Sequence, residues 1–394
     1  MRPVIEAIDA CPVEIPMDRP FLHARSSRAR TASVLVAVAA AGCRGWGEGA
    51  PRSYVTGETV PTVLEALGRV DRRILAELID FGDFTTAMRD LARCDVTRLL
   101  GVSRRMPAAA AALEIALFDL ICQLHQQPGL SGLRSVPEAA SLLNRRASAV
   151  PVSFVMDLTG GVAERIGQLR PESIAAIRHV KVKVTADVDD SVRRVAVVRE
   201  RFGSATQISV DVNGDWDRAT AISAARRLAE LGVAWIEEPV APRDWEGLRE
   251  IRECTGMAVM LDESCTGLAD LDVAAERAAA DYVNVRISKC GGIFPALALI
   301  NAARERSFGA QLGVHVGEVG PLWAAARLVS CAVGSLAAVE AGRQDEWFPV
   351  PVTDPPYAVD RVNWLAEPLD GLGIGIVPTG TLLEQCAQRP ESVG

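Results

Sequence analysis

The chain has 394 residues, 49% of them hydrophobic and 23% charged, enough apolar side chains for a sizeable buried core. Its net charge is −8 and its basic residues form no long block, which argues against nucleic acid or an anionic membrane as a partner. The nine cysteines include no C-x-x-C pair and no metal-like spacing, a pattern that fits a reducing cytoplasm in which most thiols are small core residues.

The opening stretch "MRPVIEAIDACPVEIPM" lacks the apolar core of a secretory leader, and no uninterrupted apolar run reaches membrane-spanning length. From residue 1 to about 125, "PVIEAIDACPVEIPM", "ARTASVLVAVAAAG" and "CRGWGEGAP" predict a short antiparallel meander. The stretches "TVPTVLEALGRVDRRILAELI" and "PAAAAALEIALFDLICQLH" carry helical spacing, so the first domain is expected to be α+β. It holds His23 in "MDRPFLHARSSR", a candidate for contact with a substrate or an ordinary solvated loop histidine. Trp46, expected to be structural, and Tyr54 flank "GEGAPRS".

From residue 150 the pattern changes. Short β-branched runs alternate with helical stretches such as "DDSVRRVAVVRERFG". Taken in order, the runs end in Asp157, Lys183, Asp211, Glu237, Asp262, Lys289, Glu318 and Glu340, at steps of 26, 28, 26, 25, 27, 29 and 22 residues. A strand, a helix and two loops need about that length. The expected fold is therefore an N-terminal α+β capping domain (1–125) followed by a modified TIM (β/α) barrel (126–344). The tail from 345 to 394 has no barrel period and is expected to return to the first domain.

In such a barrel, charged residues at the C-terminal strand ends face the mouth, where active sites are built. Asp211, Glu237 and Asp262 lie on consecutive strands and would converge there. Converging carboxylates repel unless a cation neutralises them. An all-oxygen donor set favours a hard ion, Mg²⁺ first and Mn²⁺ as the alternative. The run "HVKVKVT" sets Lys181 and Lys183 on one face of an apolar strand, beside that cluster, and Lys289 follows on its other side. Crowding by cations is expected to lower a lysine pKa far enough to make it a base. Period alone leaves Glu238 as an alternative to Glu237.

The motifs "KVKVT", "DVNGDW", "IEEP", "LDES" and "NVRISKCGG" resemble, in order and spacing, those of the enolase superfamily, muconate-lactonizing subgroup. The resemblance extends to "GWGEGAPRSYVTGET" and to "GLGIG" near the end. It implies that Asp211, Glu237 and Asp262 are metal ligands, with Asn213 beside the first. It implies that Lys183 is the acid/base residue, Lys181 its electrostatic partner and Lys289 the opposing lysine. Glu318 resembles a carboxylate carried at the seventh strand, and His315 reads as a core or supporting histidine. Glu340, on the eighth strand, is a candidate polar contact to the substrate.

The implied activity is a Mg²⁺-dependent isomerase that abstracts the proton α to a carboxylate, through an enediolate, by racemisation, epimerisation or cycloisomerisation. The substrate is a small-molecule carboxylate. "YVTGET" resembles the dipeptide epimerases, but "LAAVEAGRQDEW" lacks their paired aspartates at the eighth strand. A lyase resembling the o-succinylbenzoate synthases or acid dehydratases is the alternative, and a metal-binding barrel without turnover is a second. A homo-oligomer is expected, as for many barrels.

Overall fold

The computed structural model describes residues 3–23, 26–143, 148–341 and 343–387. Strands β1 (Ile5–Val13), β4 (Ser33–Ala40) and β5 (Cys43–Gly49) form an antiparallel sheet in the order β1-β4-β5. Between them, β2 (Pro16–His23) and β3 (Ser26–Arg30) make a separate hairpin. Against β5 lies the helix Pro107–Leu124, which is almost entirely buried. The alternation in "GWGEG" explains the fit. A Cβ on Gly45, Gly47 or Gly49 would meet backbone atoms of that helix at 2.2, 1.9 and 2.3 Å. Only glycine lets strand and helix backbones come this close. The helix is long and apolar enough to cross a membrane by composition alone, yet it is core here, and it carries Glu114 and Asp119 inward.

Those two carboxylates connect layers. Glu114 accepts the N–H groups of Ile293 and Phe294 at 2.9 and 2.8 Å, capping the helix Ile293–Glu305. Asp119 accepts those of Trp46 and Ile374 at 2.9 and 3.0 Å, joining β5 to the "GLGIG" turn.

After the two-residue strand β6 (Val150–Pro151), eight parallel strands follow in sequence order. They are β7 (Phe154–Met156), β8 (His179–Lys183), β9 (Gln207–Asp211), β10 (Val233–Glu237), β11 (Ala258–Leu261), β12 (Tyr282–Val285), β13 (Gly309–Leu312) and β14 (Ala338–Val339). The sheet curls on itself. The N–H of Ser153, beside β7, donates to the carbonyl of Val339 in β14 at 2.8 Å. Two of the expected strand ends move: β12 stops at Val285, so Lys289 lies in the helical turn Ile287–Cys290, and β13 stops at Leu312, before Glu318. A continuous apolar run cannot show where a strand turns into a helical segment.

The tail contacts both parts. Leu365–Ala366 pairs with β6. The helix Gly380–Ala387 packs on β1, and Leu382 is buried with Val13 and Leu35. Cys11 and Cys386 form a disulfide, whereas the scattered thiols suggested unpaired cysteines; the other seven are free. A separation of 375 residues leaves no spacing signal for such a pair.

Candidate active site

Parallel register builds the site. Lys183 is opposite Asp211, and Asp211 is opposite Glu237. The Lys183 ammonium donates to Asp211 Oδ2 at 2.7 Å and to Asn213 Oδ1 at 2.8 Å. Two residues back on the same face, Lys181 is 1% exposed. Its ammonium donates to Glu237 Oε1 and Glu340 Oε1, each at 2.8 Å, and lies 3.0 Å from Asp211 Oδ2. Two buried lysines on one strand are thus accounted for by four carboxylate contacts, three of them to Lys181.

Glu237 and Glu238 part at the end of β10. Glu238 has a φ of 42°, and its carboxylate accepts the N–H groups of Asp262 and Ser264 at 2.7 and 3.2 Å and the Ser264 hydroxyl. It fastens the "LDES" turn. Glu237 points inward, with Oε1 also accepting from Asn284 Nδ2 at 2.9 Å and Oε2 buried without a partner among the described residues.

On the far side the structure corrects the expected role of Lys289. Its ammonium spends its three protons on Asp262 Oδ1 at 2.9 Å and on the carbonyls of Asp262 and Asn284 at 2.6 and 2.7 Å. Its side chain is 0% exposed and does not line the cavity over the carboxylates. Arg286 does. It follows β12 directly, donates to Asp262 Oδ2 and stands 3.8 Å from Glu237. The signal was present in "NVRISKCGG": a strand of ordinary length ends at Val285, which makes Arg286 the strand-end charge.

The cavity is capped by the first domain, through Phe21, Arg28, Arg52 and Tyr54, and floored by Lys181, Lys183, Asn213, Glu263 and Glu340. His315 lines it, 3% exposed, with neither ring nitrogen partnered among the described residues. Glu318 is buried off the wall. Its Oε1 accepts the His315 N–H at 2.6 Å, so it shapes the loop that holds His315. His23 ends β2; its side chain lies outside the described residues. Trp46 lies on β5, away from this wall.

Burial pushes the Glu237 carboxyl up to about 8, with Asp211 and Asp262 adding to the rise and Lys181 opposing it. Lys181 sits among carboxylates. Burial would lower its pKa, but Asp211, Glu237 and Glu340 together hold it well above the ordinary lysine value. Lys289 is raised as well: burial would lower it, but Asp262, Cys290 and Cys265 together prevail. Asp211 and Asp262 stay below the usual carboxylate range. Burial opposes this, but Lys181 and Lys183 in one case, and Arg286 and Lys289 in the other, prevail.

Among the described residues no three His, Cys, Asp or Glu side chains close into a ready-made metal cage. Cationic side chains hold Asp211 Oδ2 and Asp262 Oδ2. The donor chemistry still fits a hard divalent cation. All the donors are carboxylate oxygens, and Glu237 Oε2 is buried with no partner among the described residues.

Residues 7–133 match the family model of the mandelate racemase/muconate lactonizing enzyme N-terminal domain, and residues 163–380 match the enolase C-terminal domain-like model. The N-succinyl-L-Arg/Lys racemase of Bacillus cereus is 29% identical over 79% of this chain and 80% of its own length. The L-Lys-D/L-Arg epimerase of Methylococcus capsulatus is 30% identical over 71% and 74%, and the chloromuconate cycloisomerase of Pseudomonas putida 27% over 78% and 80%. All three are isomerases. Among solved structures, the muconate lactonizing enzyme of Pseudomonas fluorescens with muconolactone superposes with a TM-score of 0.81 at 22% identity, covering 98% of this chain and 100% of that one. The Methylococcus capsulatus dipeptide epimerase with Mg and L-Arg-D-Lys gives 0.78 at 26%, covering 96% and 100%.

Proposed function

The chain belongs to the mandelate racemase/muconate lactonizing enzyme family of the enolase superfamily, and on that premise we propose that it is a Mg²⁺-dependent isomerase that removes the proton α to a carboxylate. The observation that carries this reading is Lys183. It lines the cavity, and its ammonium is held by Asp211 and Asn213 at the edge of the carboxylate cluster. A cation held by Asp211, Glu237 and Asp262 would fix the substrate carboxylate and offset the charge that builds on it. Lys183 takes the proton and, as an ammonium, delivers it when the ring bond that isomerises the substrate has formed or broken. Loss of that proton leaves an enediolate, and Lys181 adds a fixed positive charge behind the cluster. The capping residues Phe21 and Tyr54 close the cavity and exclude water.

Of the isomerase chemistries, the geometry favours cycloisomerisation, which needs one lysine at the substrate. Lys183 reaches the cavity and Lys289 does not. The test is α-deuterium incorporation in D₂O, with Mg²⁺, across N-acylamino acids, dipeptides and lactone-forming diacids. Exchange should vanish in Lys183→Ala and on chelation of the metal. Exchange that survives Lys183→Ala unchanged would remove the lysine from its role. Equal exchange of both enantiomers of one acid would favour racemisation instead.

A further inference from the structure

Around His315 the cavity wall holds hydrogen-bonding capacity that the protein does not use. His315 is 3% exposed, and neither ring nitrogen has a partner among the described residues. Arg286 Nε is buried and likewise has no partner among the described residues, while Nη2 is spent on Asp262. Arg28, in the middle of β3, is half-buried, and its side chain makes no hydrogen bond or ion pair among the described residues. All three line one cavity. Burial, then the charges of Arg286, Arg52, Lys289 and Arg28, keeps the imidazole neutral, so the positive groups are close around it.

A buried polar group left without a partner costs about 1–3 kcal/mol. Two such groups, the His315 ring and Arg286 Nε, line the cavity together with the half-buried Arg28, and the two arginines carry positive charge. The complementary ligand group is an anion. A cationic group has no counterpart there. Glu340 is occupied by Lys181, Gln311 and the Val314 N–H, and Glu346 by Arg343 and Arg165. Glu318 lies off the wall. Glu263, whose Oε2 is open, stands with Asn213 on the metal side.

We infer that the substrate carries a second acid group, held by Arg28, Arg286 and His315, separate from the carboxylate at Asp211, Glu237 and Asp262. The inference rests on the reading above in taking this cavity as the substrate site. It narrows the substrate class to diacids.

Calorimetry of straight-chain dicarboxylates from succinate to adipate, and of the monocarboxylates of equal length, tests it on the Mg²⁺-loaded protein at fixed ionic strength. The best diacid should bind at least about tenfold more tightly than its monoacid. Arg28→Gln should erase most of that preference and leave monoacid affinity unchanged. His315→Asn gives the same reading from the barrel side of the wall. Equal affinity for diacids and monoacids overturns the subsite. So does a loss in Arg28→Gln that is the same for both classes, or no diacid binding at about 10 mM. Failure of the Lys183→Ala exchange test would undo the isomerase reading and leave these affinities as they are. Equal affinities would leave that reading intact.

Discussion

The four cations at the site differ in what surrounds them, and that sorts their roles. Lys289 is enclosed by oxygen acceptors away from the cavity, Lys181 is held by three carboxylates on the cavity floor, and Lys183 and Arg286 line the cavity with fewer carboxylate partners. Lys289→Met removes a buried ammonium from three acceptors and leaves the Asp262 carboxylate with one cation fewer. We expect it to cost about 3 kcal/mol of stability, read by chemical denaturation. Lys183→Ala should cost less stability than Lys289→Met and abolish exchange. If Lys289→Met proved as stable as the wild type, the ammonium would not be the structural cation described here. Arg286→Lys separates charge from geometry. A lysine keeps one positive charge and loses the planar fork, so apparent substrate affinity should fall by about tenfold. An unchanged KM would show that Arg286 does not touch the ligand.

At the scale of elements, the strand β5 and the helix Pro107–Leu124 depend on the glycines between them. Gly47→Ala would place a methyl 1.9 Å from the Ala112 carbonyl oxygen, with backbone on both sides. A clash with backbone cannot be relieved by rotamer change, so a loss of about 3 kcal/mol or more is expected in urea unfolding. Gly167 ends the helix Val162–Gly167, and a Cβ there meets nothing within 4 Å. Gly167→Ala should be neutral or slightly stabilising, by about 0.5 kcal/mol. Equal effects at the two positions would refute close packing as the reason for the glycines. The motif "GWGEG" was legible in the sequence, but its meaning was not. Three glycines on one face of a strand signal a close approach without naming the partner.

For the whole molecule, the buried acids set the pH dependence. Burial raises Glu114 and Asp119 to about 7 each, although backbone N–H groups pull both down. Their folded values lie above the unfolded ones, so between about pH 4 and 7 the folded state holds protons that the unfolded chain has lost. Stability therefore falls as pH rises through that window. Acids held low by cations act the other way. Glu346, at about 2 through Arg343 and Arg165 against the effect of burial, contributes stability that is lost only as pH falls toward that value. The melting temperature should be highest near pH 5 and decline toward pH 8, with Glu114→Gln flattening part of the decline, on the order of 2 kcal/mol. A profile that rises from pH 5 to 8 would mean that these carboxylates are ionised in the fold. The Cys11–Cys386 bond acts on the same scale, because it ties the last helix to the first strand. Cys11→Ser should lower the melting temperature in oxidising buffer, by an amount equivalent to about 2–4 kcal/mol, and match the wild type in reductant.

By itself the sequence determined the repeat of strand and helix, the order of the strands, and the carboxylates Asp211 and Glu237 at consecutive strand ends with Asp262 one residue past the third. These follow from local periodicity and from the rule that parallel strands bring their C-terminal ends to one face. Motif resemblance, not period, distinguished Glu237 from Glu238, and the backbone turn at φ 42° gives the physical basis. Only the tertiary structure decided which cation faces the cavity. Lys289 and Arg286 are three residues apart, and a helical turn after β12 aims one at the wall and folds the other beneath Asp262. The convergence of Arg28 with His315, and of Cys11 with Cys386, was equally beyond reach. Each pair joins segments hundreds of residues apart, and no local pattern encodes a contact that chain folding alone creates.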